Sequence, residues 1–232
     1  SFRFIVHSFT MPANGSTTIS NNSIVTAFNK TGAGGTVTIT TTNGSSPSGT
    51  TATYTNNNFS NITVTGATGI TGFNNTDGGT ASAKTITGNT FNNWTGGTSA
   101  ITAMNFTYFS GTSTLSSNTV TNITGQAAIT AITIGSAASG TLLTVASNTI
   151  NNLTSTGTGG TVTGLTCSNT SALININNNA INTLFDNRKR SPENCVFHKW
   201  IIFIWVPDRK LFKSSNGYCI FFIVQFVIYR AT

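Results

Sequence analysis

The chain of 232 residues is 38% hydrophobic but only 6% charged, against about 25% charged in an ordinary soluble domain, so Asn, Thr, Ser and Gly must carry its contact with water. Those residue types favour turns and strands over helix interiors, which excludes a mainly helical protein. The formal net charge of +7 is no nucleic-acid signature, because residues 1–185 hold only Arg3, Lys30 and Lys84 against Asp77, and a phosphate-binding groove needs cations spread along it.

The first segment, residues 1–18, opens on "SFRFIVHSFTMPANG". Its apolar patch lacks the charged n-region, sustained apolar run and small-residue cleavage site of a signal peptide. It is expected to be a lead-in or a first partial coil, and the missing initiator Met points to a processed chain or a fragment.

From residue 19 to 185 a nine-residue unit recurs six times: "ISNNSIVTA" from Ile19, "YTNNNFSNI" from Tyr54, "ITGNTFNNW" from Ile86, "LSSNTVTNI" from Leu115, "VASNTINNL" from Val145 and "INNNAINTL" from Ile176. Its fourth position is always Asn: Asn22, Asn57, Asn89, Asn118, Asn148 and Asn179, spaced by 35, 32, 29, 30 and 31 residues. Between the units lie Gly-rich turns followed by alternating apolar residues, as in "GAGGTVTIT" and "GTGGTVTGL". Alternation of this kind marks strands with one buried face. A period near 30 signals a stacked array, and the Asn, Gly and β-branched content rules out helical repeats. A four-stranded propeller blade needs about 40 residues or more. The expected fold is therefore all-β: a parallel β-solenoid of about six coils, each with at least two strands, stacked about 4.8 Å apart.

Stacking turns the period into ladders. Ile24, Phe59, Phe91, Val120, Ile150 and Ile181 are expected to form one inward apolar column, and Ala27, Ile62, Trp94, Ile123, Leu153 and Leu184 another. The six asparagines are expected at a corner, in left-handed backbone, each amide bonded to the Asn one coil above and below. These units resemble the repeats of pectin-lyase-like right-handed β-helix proteins, including long bacterial surface proteins rich in Asn, Thr and Gly. That resemblance implies a parallel β-helix over residues 19–184 and an extracellular or cell-surface location. It implies no single activity, since the architecture hosts lyases, hydrolases, epimerases, adhesins and passive stalks.

Catalysis in the repeat region lacks its parts. Between residues 8 and 185 the only acid is Asp77 and there is no His, so neither the carboxylate pair of a glycosidase nor a Ser-His-Asp set can be assembled. Asp77 in "NNTDGG" reads as a turn residue, and calcium would find too few carboxylates. No catalytic, metal or cofactor site is expected. The Gly-rich turns lack the Lys and the following helix of a P-loop. Asn-x-Ser/Thr triplets at Asn61, Asn93, Asn122 and Asn152 match a glycosylation acceptor, at a frequency that chance supplies in so Asn- and Thr-rich a chain. Outward threonines in "TVTIT" from Thr36 and "TVT" from Thr63 and Thr161 resemble the ice-binding side of some β-solenoid antifreeze proteins, although their positions drift between coils in the sequence.

Residues 186–232 break the pattern, carrying eight of the 11 basic residues. The apolar runs 200–206 and 218–229 are too short for a membrane helix of about 20 residues. Two readings stand open: a capping hairpin over the solenoid end, or the product of a reading-frame slip after Leu184. Cys195, His198 and Cys219 do not complete a four-ligand zinc pattern. The expected function is a non-catalytic structural or adhesive segment of a secreted or cell-surface protein, contacting polysaccharide or cell-surface glycans and stacking on itself within a longer solenoid, with no nucleic-acid partner and no membrane span. The alternatives are a segment of a carbohydrate-active β-helix enzyme whose catalytic coils lie elsewhere, and an ice-binding solenoid.

Overall fold

The computed structural model describes residues 1–24, 26–47, 49–77, 82–137, 140–186 and 226–228. All regular structure among them is β, and the strands, numbered along the chain, fall into three sheets. Sheet A stacks β1 (Phe2–His7), β4 (Thr36–Thr42), β7 (Gly69–Asn75), β10 (Ile101–Tyr108), β13 (Ile129–Ala137) and β16 (Val162–Cys167). Sheet B stacks β2 (Ser16–Ser20), β5 (Thr51–Thr55), β8 (Ala83–Thr87), β11 (Thr112–Ser116), β14 (Leu142–Ala146) and β17 (Leu173–Asn177). Sheet C stacks β3 (Phe28–Lys30), β6 (Asn58–Val64), β9 (Thr90–Thr95), β12 (Thr119–Gly125), β15 (Thr149–Ser155) and β18 (Ala180–Asp186).

The chain visits A, B and C in turn, so each coil holds three strands, and every pairing between coils is parallel. This is a parallel β-solenoid of six coils. A further strand, β19 (Phe226–Ile228), pairs antiparallel with β17. The tail's apolar run 200–206, its basic run 187–190, and Cys195, His198 and Cys219 lie outside the described residues.

One apolar core runs through all three sheets. The first expected column is in register on sheet C, where Phe59, Phe91, Val120 and Ile150 are buried and Ile24 and Ile181, in the terminal coils, are half-buried. The second needs a correction. Phe28, not Ala27, stands opposite Ile62, and Ala27 is exposed. The first coil carries one residue more than the others between its Asn and this column, which shifts the apolar position by one.

Both columns face inward although their residues are three apart, a spacing that puts side chains on opposite faces of a regular strand. The strand escapes this by bending at one residue of left-handed backbone: Asn61, Asn93, Asn122, Asn152 and Thr183, with φ between 51° and 61°. Asn tolerates that region better than other side-chain-bearing residues. Opposite the largest core residue, Trp94, the facing strand supplies Gly72, where a Cβ would lie 2.7 Å from the indole and 2.8 Å from Phe91. The buried indole N–H donates to Phe59 O at 2.7 Å.

Candidate functional site

The six repeated asparagines sit where each coil turns from sheet B to sheet C. The left-handed residue at this corner is the one before the ladder Asn, a correction to the expected placement: Asn21, Asn56, Gly88, Ser117, Ser147 and Asn178 have φ between 53° and 70°. That turn aims the following amide into the core, where Asn57, Asn89, Asn118 and Asn148 are all but fully buried.

The resulting ladder is continuous and directional. From Asn22 through Asn148, each donates its backbone N–H and its Nδ2 to Oδ1 of the Asn in the next coil, at 2.8–3.2 Å. From Asn57 onward each Nδ2 also donates back to a carbonyl of the preceding coil: Ile19, Tyr54, Ile86, Leu115 and Val145. Every buried amide in the interior of the ladder thus has its donors and its acceptor occupied, which a buried polar group requires. An outer set of asparagines runs along sheet C, where Asn93 donates to Asn61 and Asn152 to Asn122 at 2.7–2.8 Å. These are the asparagines of the acceptor triplets, and all four are exposed.

The outer faces carry a feature the sequence hid. On sheet B, Thr18, Thr53, Thr85, Thr114 and Thr144 are in strict register, with Asn175 completing the column. Flanking columns place Ser16 and Thr51, then Ala83, with Thr112 paired to Leu142, on one side, and Ser20, Thr55, Thr87 and Ser116, then Ala146, on the other. On sheet A, Thr38, Thr71, Thr102, Thr130 and Thr163 form another column. The threonines drift in the sequence because turn lengths vary between coils; they do not drift on the sheets. Of the "TVTIT" run, Thr40 turns inward and is fully buried. The grid on sheet B repeats about 4.8 Å between strands and roughly 7 Å along them.

Asp77 is not an exposed turn residue, as the sequence suggested. It is 2% exposed, and Lys84, at 1%, reaches it inside the corner between sheets A and B. Nζ and Oδ2 are 4.0 Å apart. Asn75, fully buried beside them, donates to Asp77 Oδ2 at 2.7 Å and also to Thr42. Lys84 Nζ donates to Tyr108 O and lies 5.6 Å from the Phe109 ring centre. Burial lowers its pKa from 10.5 to about 8, against the pull of Asp77. Burial, with the Asp77 charge, pushes the Tyr54 phenol up. The signal was present in "AKTIT": alternation puts Lys84 on the same face as Ile86, which is inward.

Cys167 is half-buried at the end of sheet A, and burial pushes its thiol up. Among the described residues no three His, Cys, Asp or Glu side chains gather as metal ligands, and no helix is long and apolar enough to cross a membrane. No family model, curated protein or solved structure matches the chain.

Proposed function

We propose that this chain is a non-catalytic structural or adhesive β-solenoid segment of a secreted or bacterial cell-surface protein of the pectin-lyase-like right-handed β-helix kind, whose polar faces contact glycans. The observation that supports this best is the register of sheet B over six coils, which places Thr18, Thr53, Thr85, Thr114, Thr144 and Asn175 at a fixed step along one outer face. One hydroxyl bonded to a glycan oxygen adds little net affinity, because it exchanges one hydrogen bond with water for another. A row of them on a stiff frame binds a repeating chain by avidity, since each contact after the first is intramolecular. The Asp77 carboxylate is turned into the core against Lys84 and is closed to an external sugar. The test is sedimentation of the full chain with insoluble polysaccharides, with reducing ends measured on the same samples. Saturable binding without release of reducing ends is the expected result. Release of reducing ends that is abolished by Asp186→Asn overturns the reading.

The threonine grid of sheet B favours a second occupant. It is uncharged, and its central column sets threonines on five successive strands at a regular spacing, which suits ordering water at an ice surface better than holding a polyanion. Ice binding predicts thermal hysteresis for the full chain, reduced by Thr85→Tyr and Thr114→Tyr at the middle of the grid with the fold intact by circular dichroism. No hysteresis at any concentration removes this reading and leaves the first untouched.

A further inference from the structure

Among the described residues, the apolar interior has one place where three chemically complementary side chains gather: Asn75 at the end of β7, Asp77 two residues on, and Lys84 in β8. A structural explanation of this group is incomplete. Asn75 Oδ1, Asp77 Oδ1 and Ser82 Oγ are buried without a hydrogen-bond partner, each having given up its bonds to water with nothing in return. The ion pair, at 4.0 Å, is beyond hydrogen-bond length. A Met in place of Lys84 would fill the same volume without the desolvation cost of a buried amine.

The arrangement has the parts of an acyl transfer. Asn75 offers a carboxamide carbon, Lys84 an amine whose charged form is disfavoured by burial, and Asp77 a carboxylate whose Oδ2 both accepts a hydrogen bond from Asn75 Nδ2 at 2.7 Å and lies 4.0 Å from Lys84 Nζ. An uncharged amine is a nucleophile, and a carboxylate placed between attacking and leaving nitrogens moves a proton from one to the other. The four-carbon stem of Lys lets Nζ swing from its place beside Asp77 Oδ2 toward Asn75 Cγ.

We propose that Lys84 and Asn75 join in an intramolecular amide bond, with Asp77 as the proton carrier. The Nζ lone pair attacks Asn75 Cγ; Asp77 takes a proton from Nζ and returns one to Nδ2; the Cγ–Nδ2 bond breaks and ammonia leaves. No oxidant, reductant or metal enters the balance. The bond ties the last residue of β7 to β8 across the corner between sheets A and B. It replaces a desolvated ammonium with a neutral amide.

The test is the intact mass of the purified full chain, followed by fragmentation of the peptide spanning residues 75–84. The expected result is a chain lighter by one ammonia, the loss mapped to a link between Asn75 and Lys84, and no tryptic cut after Lys84. The loss must survive mild alkali, which opens the succinimides that "NG" sequences such as Asn43-Gly44 form with the same loss of mass. It must also vanish in Lys84→Met and in Asp77→Ala. An unshifted mass overturns the proposal, as does a loss of one water linking Asp77 to Lys84, or an ammonia loss that persists in Lys84→Met. Because the unmodified chain decides the matter, a variant that fails to fold leaves the outcome readable.

Discussion

At the scale of single residues, the ladder asparagines carry the most consequence per atom. Replacing Asn118 by Ala leaves the Asn89 N–H and Nδ2 without their acceptor and the Ile86 carbonyl without its donor, all in the buried corner. At roughly 1–3 kcal/mol for each orphaned group, part of it relieved by relaxation, the expected loss is about 3 kcal/mol in a urea titration. Asn118→Asp should recover little although it can accept from Asn89, because its second oxygen would bury a charge against two acceptors, Ile86 O and Asn148 Oδ1, that now receive the amide N–H groups. A stabilising change is available at Thr183, a β-branched residue held at φ 51° where four other coils use Asn. Left-handed backbone costs such a residue roughly 1–2 kcal/mol. Thr183→Asn should therefore raise stability by about 1 kcal/mol, read as a shift of the urea midpoint at unchanged slope.

At the scale of elements, the corner between β7 and β8 gives the protein a pH signature. In a chain that cannot form the amide, such as Asn75→Ala, Lys84 keeps a free amine with a pKa of about 8 in the fold and 10.5 when unfolded. Between those values the unfolded chain binds more protons, so stability rises with pH from about 8 to 10, by on the order of 2 kcal/mol. Above that the rise reverses, because the buried Tyr54 phenol resists an ionisation that the unfolded chain undergoes freely. Unfolding free energies measured across pH 7–10 check the ramp, and a flat profile contradicts it. The elements themselves were largely legible: the period, the inward columns of sheet C and the Asn ladder follow from repeated letters at repeated spacings. Three things were not. The extra residue in the first coil moved Phe28 into the place assigned to Ala27. The left-handed residue is whichever precedes the ladder Asn, variously Asn, Ser or Gly, so composition conceals it. The threonine columns vanish from a one-dimensional reading because the loops between coils differ in length, and only sheet pairing realigns them.

At the scale of the whole molecule, the coils are interchangeable to first order, because each contacts only its neighbours. Removing residues 118–147, one 30-residue step of the ladder, joins Ser117 to Asn148 in the same local sequence that the deleted coil used, Ser147-Asn148. The shortened chain should fold with an unchanged β-type circular dichroism spectrum and a lower melting temperature. Deleting half that length breaks the register of every following coil, moves apolar residues to the surface and should yield insoluble protein. The asparagine column adds a vectorial property to this modularity. All its inter-amide bonds point the same way, so the two ends of the stack are chemically unlike. Each Oδ1 from Asn57 to Asn179 accepts from the coil before it, so the leading face of any coil presents acceptors. Two leading ends brought together would oppose lone pair to lone pair, whereas a coil arriving with its amide donors foremost would extend the column without a break. The stack thus behaves like a polar filament with a distinguishable head and tail, and lengthening it is a one-way operation.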